Sequence, residues 1–401
     1  MMAANVLNKL MGFAAVVYVT RNTTEAAFGA YSYAQSIVLA VVPFMGLGAY
    51  QAFLRYSSDA PGQTPKKNLY HYSYSRGILF SMLLVTCLIP LAPWLCSSVP
   101  ESISIFRILL FLVLTTLNME FVKSYARAIH KNAISAQIDI TYAFSLLFLS
   151  IVLTSIHGIL GYAAAVTIAP VIAVVYNASR MNIVSFKQVS LSPGFNGFWK
   201  YGIFTTIGAL LANLFFSVDL LMLGHFLGDN ASSIAIYRVA ILIPLATIVL
   251  PVSIAATDYV KNSANKNDSG ALRSYMKNYF MTFGLLSFIA LAILYLIAPW
   301  LLQVFGQNYT DGAEIMRVFL IGIFGAHLLR IPYGNLLSAV GKADWNTYIN
   351  LLVLTITAFL CYNFIPRFDA LGAAYAMATM MWVSGLFNAF CFRYYLHTLV
   401  K

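Results

Sequence analysis

The stretch Ala92-Pro93-Trp94-Leu95 returns as Ala298-Pro299-Trp300-Leu301, 206 residues further on. At the same offset Tyr31 and Ala34, inside Ala30-Tyr-Ser-Tyr-Ala34, fall on Tyr237 and Ala240, inside Ile236-Tyr-Arg-Val-Ala240. The offset grows to 210 where Ile105-Phe-Arg107 meets Ile315-Met-Arg317. It settles at 211, where Lys131 matches Lys342, Leu160-Gly161 matches Leu371-Gly372, and Asn177-Ala178 matches Asn388-Ala389. One match alone carries nothing, but an ordered series with five residues of drift marks a duplication. Two copies of a hydrophobic unit of about two hundred residues are the organisation of a duplicated transporter.

Composition sets the solvent of these copies. The chain is 60% hydrophobic and 9% charged, with mean hydropathy +0.78. A soluble domain carries roughly 25% charged residues, so this chain lacks the polar side chains to cover a water-facing surface. The apolar runs are helix-length and do not alternate, which argues against an outer-membrane barrel. A net charge of +11 fits positive-inside loops rather than a nucleic-acid partner. Cys87, Cys96, Cys361 and Cys391 lie in or beside apolar segments without metal-like spacing, and read as hydrophobic fillers. No positive region precedes the first apolar stretch, and Lys9 sits within it, so no cleaved signal peptide is expected. The first span, 3–20, is short for a hydrocarbon core of ~30 Å, which suggests a start further upstream.

The apolar pattern predicts an all-α integral membrane protein with twelve transmembrane helices: 3–20, 26–54, 74–97, 102–127, 134–156, 159–178, 201–223, 233–257, 279–302, 313–339, 345–364 and 370–395. Polar stretches at 59–67, 192–197 and 261–270 punctuate them. The expected organisation is an N-terminal six-helix lobe (1–185), a cytoplasmic connection (186–200) and a C-terminal six-helix lobe (201–401). Of the 24 lysines and arginines, seventeen fall on one side of these spans and four (Arg21, Arg107, Arg317, Arg367) on the other. Lys9, Arg238 and Arg330 lie inside spans. The seventeen mark the cytoplasmic side, and both termini then lie there. An even number of spans per copy gives two parallel repeats related by an axis along the membrane normal, with a central cavity between them.

Ionisable residues inside hydrocarbon need a reason, since each costs roughly 2.5–3.5 kcal/mol on insertion scales. Arg330 lies twelve residues before Lys342, hence about 18 Å from the interface at 1.5 Å per residue. It is either a cavity cation for an anionic substrate or a structural ion pair or carbonyl anchor. Asp219 and Arg238 sit near the outer ends of spans 7 and 8, at similar depth. They read as a packing ion pair, or as a gate or protonatable carboxylate. Lys9 shares a helix face with Asn5, Asn8 and Gly12, which either lines a cavity or permits close packing. Glu120, Lys123 and Arg127 share a face near the cytoplasmic end of span 4 and read first as a solvated helix end. With Arg55 and Arg76, Lys123 and Arg127 could instead form a basic vestibule for a phosphorylated head group.

Several chemistries find no support. The sequence has no P-loop, no His-Glu-x-x-His, no Cys/His metal cluster and no Asp-x-Asp pair. Catalytic residues, metals and cofactors are therefore not expected.

Two further stretches carry a family resemblance. One is Arg21-Asn-Thr-Thr-Glu-Ala-Ala-Phe-Gly29-Ala-Tyr31, followed by Gly46-Leu-Gly48-Ala-Tyr-Gln-Ala-Phe-Leu-Arg55. The other is Asp219-Leu-Leu-Met-Leu-Gly224-His-Phe-Leu-Gly228, then Ile236-Tyr-Arg-Val-Ala240. With Val304-Phe-Gly306, Tyr309, Leu336-Leu-Ser-Ala-Val-Gly341-Lys342 and Leu371-Gly-Ala-Ala374, they span nearly the whole chain. In order and spacing they resemble the polysaccharide-transport branch of the multidrug/oligosaccharidyl-lipid/polysaccharide (MOP) exporter superfamily, of O-antigen flippase (Wzx) type. The resemblance implies a bacterial inner-membrane flippase in O-antigen, capsule or exopolysaccharide synthesis. Such a protein carries a polyprenyl-pyrophosphate-linked oligosaccharide to the periplasmic leaflet by alternating access, beside a polysaccharide polymerase and a chain-length regulator. It also implies that Asp219 holds the family's acidic position in span 7, and that Arg330 and Lys9 line the cavity. The alternatives are a multidrug/cation antiporter of the same superfamily and a membrane polysaccharide polymerase. The deep excess of basic over acidic charge argues against the first. The absence of a long outer loop, the longest running from about 303 to 312, argues against the second.

The charge bias makes a direct prediction. Green fluorescent protein fused after Lys401 should fluoresce, and alkaline phosphatase at the same place should be inactive. An active phosphatase fusion would invert the topology.

Overall fold

The computed structural model describes residues 2–58, 62–178 and 197–400. Residues 59–61 and the connection as far as 196 lie outside the described part. Every regular element among the described residues is helical. The rods are Met2–Asn22 (span 1), Glu25–Ser57 (2), Gln63–Leu95 (3), Ser102–Ala128 (4), 132–157 (5) and 159–178 (6). In the second copy they are Phe198–Phe215 with Val218–Phe226 (7), Ala231–Thr247 with Val249–Ala264 (8), Ser269–Leu296 (9), Gln307–Ala339 (10), 343–368 (11) and 370–400 (12). The twelve expected spans are thus present.

Spans 5 and 6 form one helical run of 47 residues, and spans 11 and 12 one of 58. About 20 residues suffice to cross a bilayer, so each run is two crossings, and each reverses at one residue. Gly158 has φ 56°, ψ −135° and Asp369 has φ 51°, ψ −136°. The two stand 211 residues apart, so the duplication read in the sequence is reproduced in backbone angles. Three residues on, a side chain at Gly161 would strike the carbonyl oxygen of Leu153, and one at Gly372 that of Phe364. Reversal this tight admits nothing larger than hydrogen there.

Other pairs repeat at the same offset. Span 4 ends with Lys131 N donating to Ala126 O, and span 10 with Lys342 N donating to Leu337 O, both at 2.8 Å. Each bond satisfies a carbonyl of the last helical turn that would otherwise lack an intrahelical partner. Asn177 Nδ2 donates to Ala173 O at 2.9 Å, and Asn388 Nδ2 to Ser384 O at 2.8 Å.

By packing, the chain divides into two units, Met1–Ser217 and Val218–Lys401. The sequence boundary at 186–200 assigns all of span 7 to the second lobe, whereas Phe198–Phe215 packs within the first unit. Side chains account for the difference. Trp199 Nε1 donates to Tyr72 Oη at 3.0 Å, Thr205 Oγ1 to Gln51 Oε1 at 3.2 Å, and Asn213 Nδ2 to Leu39 O at 3.0 Å. Span 2 is interrupted at Val42–Gly48, where Pro43 supplies no N–H and Met45–Leu47 leave helical geometry. The freed Gly46 N–H is taken by Ser81 Oγ at 2.8 Å, so the break is satisfied inside the protein.

Asp369 occupies a backbone conformation suited to glycine, at a cost of about 1–3 kcal/mol. Asp369→Gly should therefore raise the unfolding temperature in detergent, and Gly158→Asp should lower it. A lower midpoint for Asp369→Gly would contradict the strain argument.

Candidate functional site

In the second unit, Asp219 and Tyr237 are fully buried. Tyr237 Oη donates to Asp219 Oδ2 at 2.6 Å, and the Leu220 N–H donates to Oδ1 at 2.8 Å. Arg238, half-buried, acts electrostatically on the same carboxylate. The sequence placed Asp219 and Arg238 at similar depth, and the structure brings them together. Tyr237, not singled out as a site residue, is the direct partner. The repeat shows how the cluster arose. Position 206 before Asp219 is Phe13, and before Tyr237 is Tyr31. Phe13 supplies no carboxylate for Tyr31 at that place. Tyr31 Oη accepts from Gln35 Nε2 at 3.1 Å, and its ring lies 4.7 Å from that of Tyr162. The ionic group therefore belongs to one half of a duplicated scaffold.

Arg330 closes a π-helical turn, Ala326–Arg330, in span 10. Span 12 comes close here: a Cβ on Gly385 would lie 3.0 Å from Arg330 N. The same turn carries His327, which sequence reading passed over. His327 is 2% exposed. Its Nδ1 is 2.7 Å from Ser287 Oγ and its Nε2 3.3 Å from Thr247 Oγ1, and its carbonyl accepts from Tyr279 Oη at 2.9 Å. Hydroxyls both donate and accept, so both ring nitrogens of His327 have a partner. The available signal was the histidine inside span 10, with Thr247 and Ser287 in the apolar runs of spans 8 and 9.

In the first unit the structure departs from the reading of Lys123. The sequence suggests a solvated helix end or a vestibule cation, but Lys123 is 9% exposed. Its Nζ sits 3.1 Å from Glu120 Oε1 and 2.8 Å from Asp139 Oδ1. Asp139 comes from span 5, a contact that one helix face cannot reveal. The charge of Lys123 is thereby taken up, and the triad carries one net negative charge when all three groups are ionised. Arg127 is partly buried and donates through Nε to Ser135 Oγ at 3.3 Å. Arg55 and Arg76 are exposed, with guanidinium carbons 5.9 Å from the Tyr56 ring and 5.7 Å from the Tyr72 ring. Lys9 is exposed, and a Cβ at Gly12 would meet no atom within 4 Å. That face of span 1 is open rather than closely packed; the Asn5 side chain lies outside the described residues. Phe53, Tyr70, Phe121 and Tyr125 form a closed aromatic core.

Among the described residues no group of three or more His, Cys, Asp or Glu could hold a metal ion. The arrangement is that of a multi-pass helical protein with ionisable groups inside its spans. Comparison with known proteins gives it a family. The chain belongs to the polysaccharide biosynthesis protein family, which matches residues 1–257, and the MatE family matches residues 205–363. It is similar to the teichuronic acid biosynthesis protein TuaB of Bacillus subtilis, 22% identical over 204 residues. That match covers 50% of this chain and 41% of TuaB. In fold it is similar to an inward-facing multidrug resistance MATE family transporter of the MOP superfamily (TM-score 0.77, 15% identity, 98% of this chain and 96% of that one). It is also similar to the lipid II flippase MurJ in an inward closed conformation (TM-score 0.75, 13% identity, 98% and 87%). A MOP superfamily transporter from Pyrococcus furiosus follows with a TM-score of 0.66, 16% identity, and coverage of 100% and 94%.

Removing one partner of a buried ion pair costs about 3–5 kcal/mol. Lys123→Met should therefore lower the unfolding temperature sharply. Adding Glu120→Gln and Asp139→Asn should recover much of the loss. If Lys123→Met melts like the parent protein, the triad contributes no stability.

Proposed function

We propose that this protein is a flippase that moves a polyprenyl-pyrophosphate-linked oligosaccharide from the cytoplasmic to the periplasmic leaflet of the bacterial inner membrane by alternating access. The observation that carries the reading is the match of residues 1–257 to the polysaccharide biosynthesis family. The sign of the intramembrane charge supports it. In the second unit Arg238 and Arg330 outweigh Asp219, whose carboxylate already holds Tyr237 and Leu220. Arginine suits a pyrophosphate, which it can meet with two parallel hydrogen bonds. Arg330, Arg238 and Lys9 are the proposed substrate contacts. Arg55, Arg76 and Arg127 are proposed to gather the head group at the cytoplasmic side. Asp219 is proposed as the gate or ion-coupling carboxylate: protonating it would loosen Tyr237 and free one end of span 7 from span 8. Both termini face the cytoplasm in this reading, and the polymerase and chain-length regulator are the partners.

A second reading, a cation antiporter, is favoured by the MatE match over residues 205–363. It would rely on the acidic triad around Lys123.

Deletion and complementation in the host separate the two. Loss of long surface polysaccharide, with lipid-linked oligosaccharide trapped on the cytoplasmic side, is expected on deletion. Arg330→Ala, expressed and inserted at parental levels, should restore at most one tenth of the polymer, and Asp219→Asn should shift the pH dependence of transport. Normal polymer in the deletion strain, with altered resistance to cationic drugs, would favour the antiporter.

A further inference from the structure

We infer that the second unit holds an anionic phospholipid by its phosphate headgroup, in a cleft of about 420 Å³ between spans 9, 10 and 12. Arg273 and Lys277 stand one turn apart on span 9, and Arg393 and His397 one turn apart on span 12. All four are exposed, and no carboxylate is among the described residues that line the cleft. Tyr333 of span 10 lines the cleft beside Arg393.

The floor is apolar. The rings of Phe280 and Phe392 lie 6.2 and 5.6 Å from that of Tyr333. Towards the hydrocarbon, the same two helices present Met281 at 64% and Phe390 at 69% exposure, the pattern of lipid-facing surface.

Three like charges gathered around one cleft repel one another. A phosphodiester relieves this, and only a lipid also uses the apolar floor. Basic pockets between membrane helices at the charged interface have this chemistry. A soluble phosphate would leave the floor bare. The inference concerns a resident lipid and does not rest on the transport reading; only the leaflet assigned to it, the cytoplasmic one, follows from the charge bias.

Native mass spectrometry of the full chain, titrated with dioleoyl phosphatidylglycerol or dioleoyl phosphatidylcholine, tests it. Phosphatidylglycerol should bind at least tenfold more tightly than phosphatidylcholine. The triple variant Arg273→Gln/Lys277→Gln/Arg393→Gln should lose that preference. Lys342→Gln, a basic residue outside the cleft, should keep it. Equal binding of the two lipids, or an undiminished preference in the triple variant, would overturn the inference. So would displacement of phosphatidylglycerol by equimolar undecaprenyl pyrophosphate, which would give the cleft to a polyprenyl lipid. Unfolding temperatures in phosphatidylcholine nanodiscs show whether the triple variant folds. If it does not, the single variant Arg393→Gln is read against the same criteria.

Discussion

Inside hydrocarbon a peptide group has no water to bond to, and the form of this molecule follows from that constraint. Helices satisfy their own backbone, so every regular element among the described residues is one. Departures from the helix need a substitute partner. The interruption of span 2 has Ser81 for its freed N–H, and the ends of spans 4 and 10 have matched backbone bonds. The reversals at Gly158 and Asp369 are sharp enough to bring carbonyls against glycines. Duplication copied these solutions together with the helices, so the same bonds recur at a fixed offset.

The two copies have since diverged in charge. The first buries a lysine between two carboxylates near one end of spans 4 and 5, and carries Lys9 inside span 1. The second places Asp219 where the first has Phe13, and adds Arg238, His327 and Arg330. A buried carboxylate is tolerable only when hydrogen-bonded, and Tyr237, already present at that position as Tyr31 in the other copy, supplies the bond. A symmetric scaffold thereby carries an asymmetric set of charges.

Much of the fold was legible because its determinants are one-dimensional. Apolar run length marks the spans, and the offset of 206 to 211 marks the copies. Three features escaped because their causes are contacts between distant positions. Phe198–Phe215 joins the first unit through Trp199 and Asn213, whose partners lie in spans 3 and 2. Lys123 reads as a solvated helix end until Asp139 of span 5 is placed beside it. His327 gains its meaning from hydroxyls on spans 8 and 9. Asp219 with Arg238 was legible because a short hairpin sets both depths, while Tyr237 was hidden as one of 25 tyrosines.

The central claim, movement of a phosphate-linked glycan lipid between leaflets, is tested most directly with purified protein in liposomes. A polyprenyl-pyrophosphate-linked oligosaccharide bearing a fluorophore on its sugar is placed in both leaflets, and a membrane-impermeant reductant is added outside. Protein-free liposomes should lose about half their fluorescence, and liposomes containing the protein nearly all of it. Protein-containing liposomes that stop at the same half, while taking up a cationic dye against a proton gradient, would contradict the account.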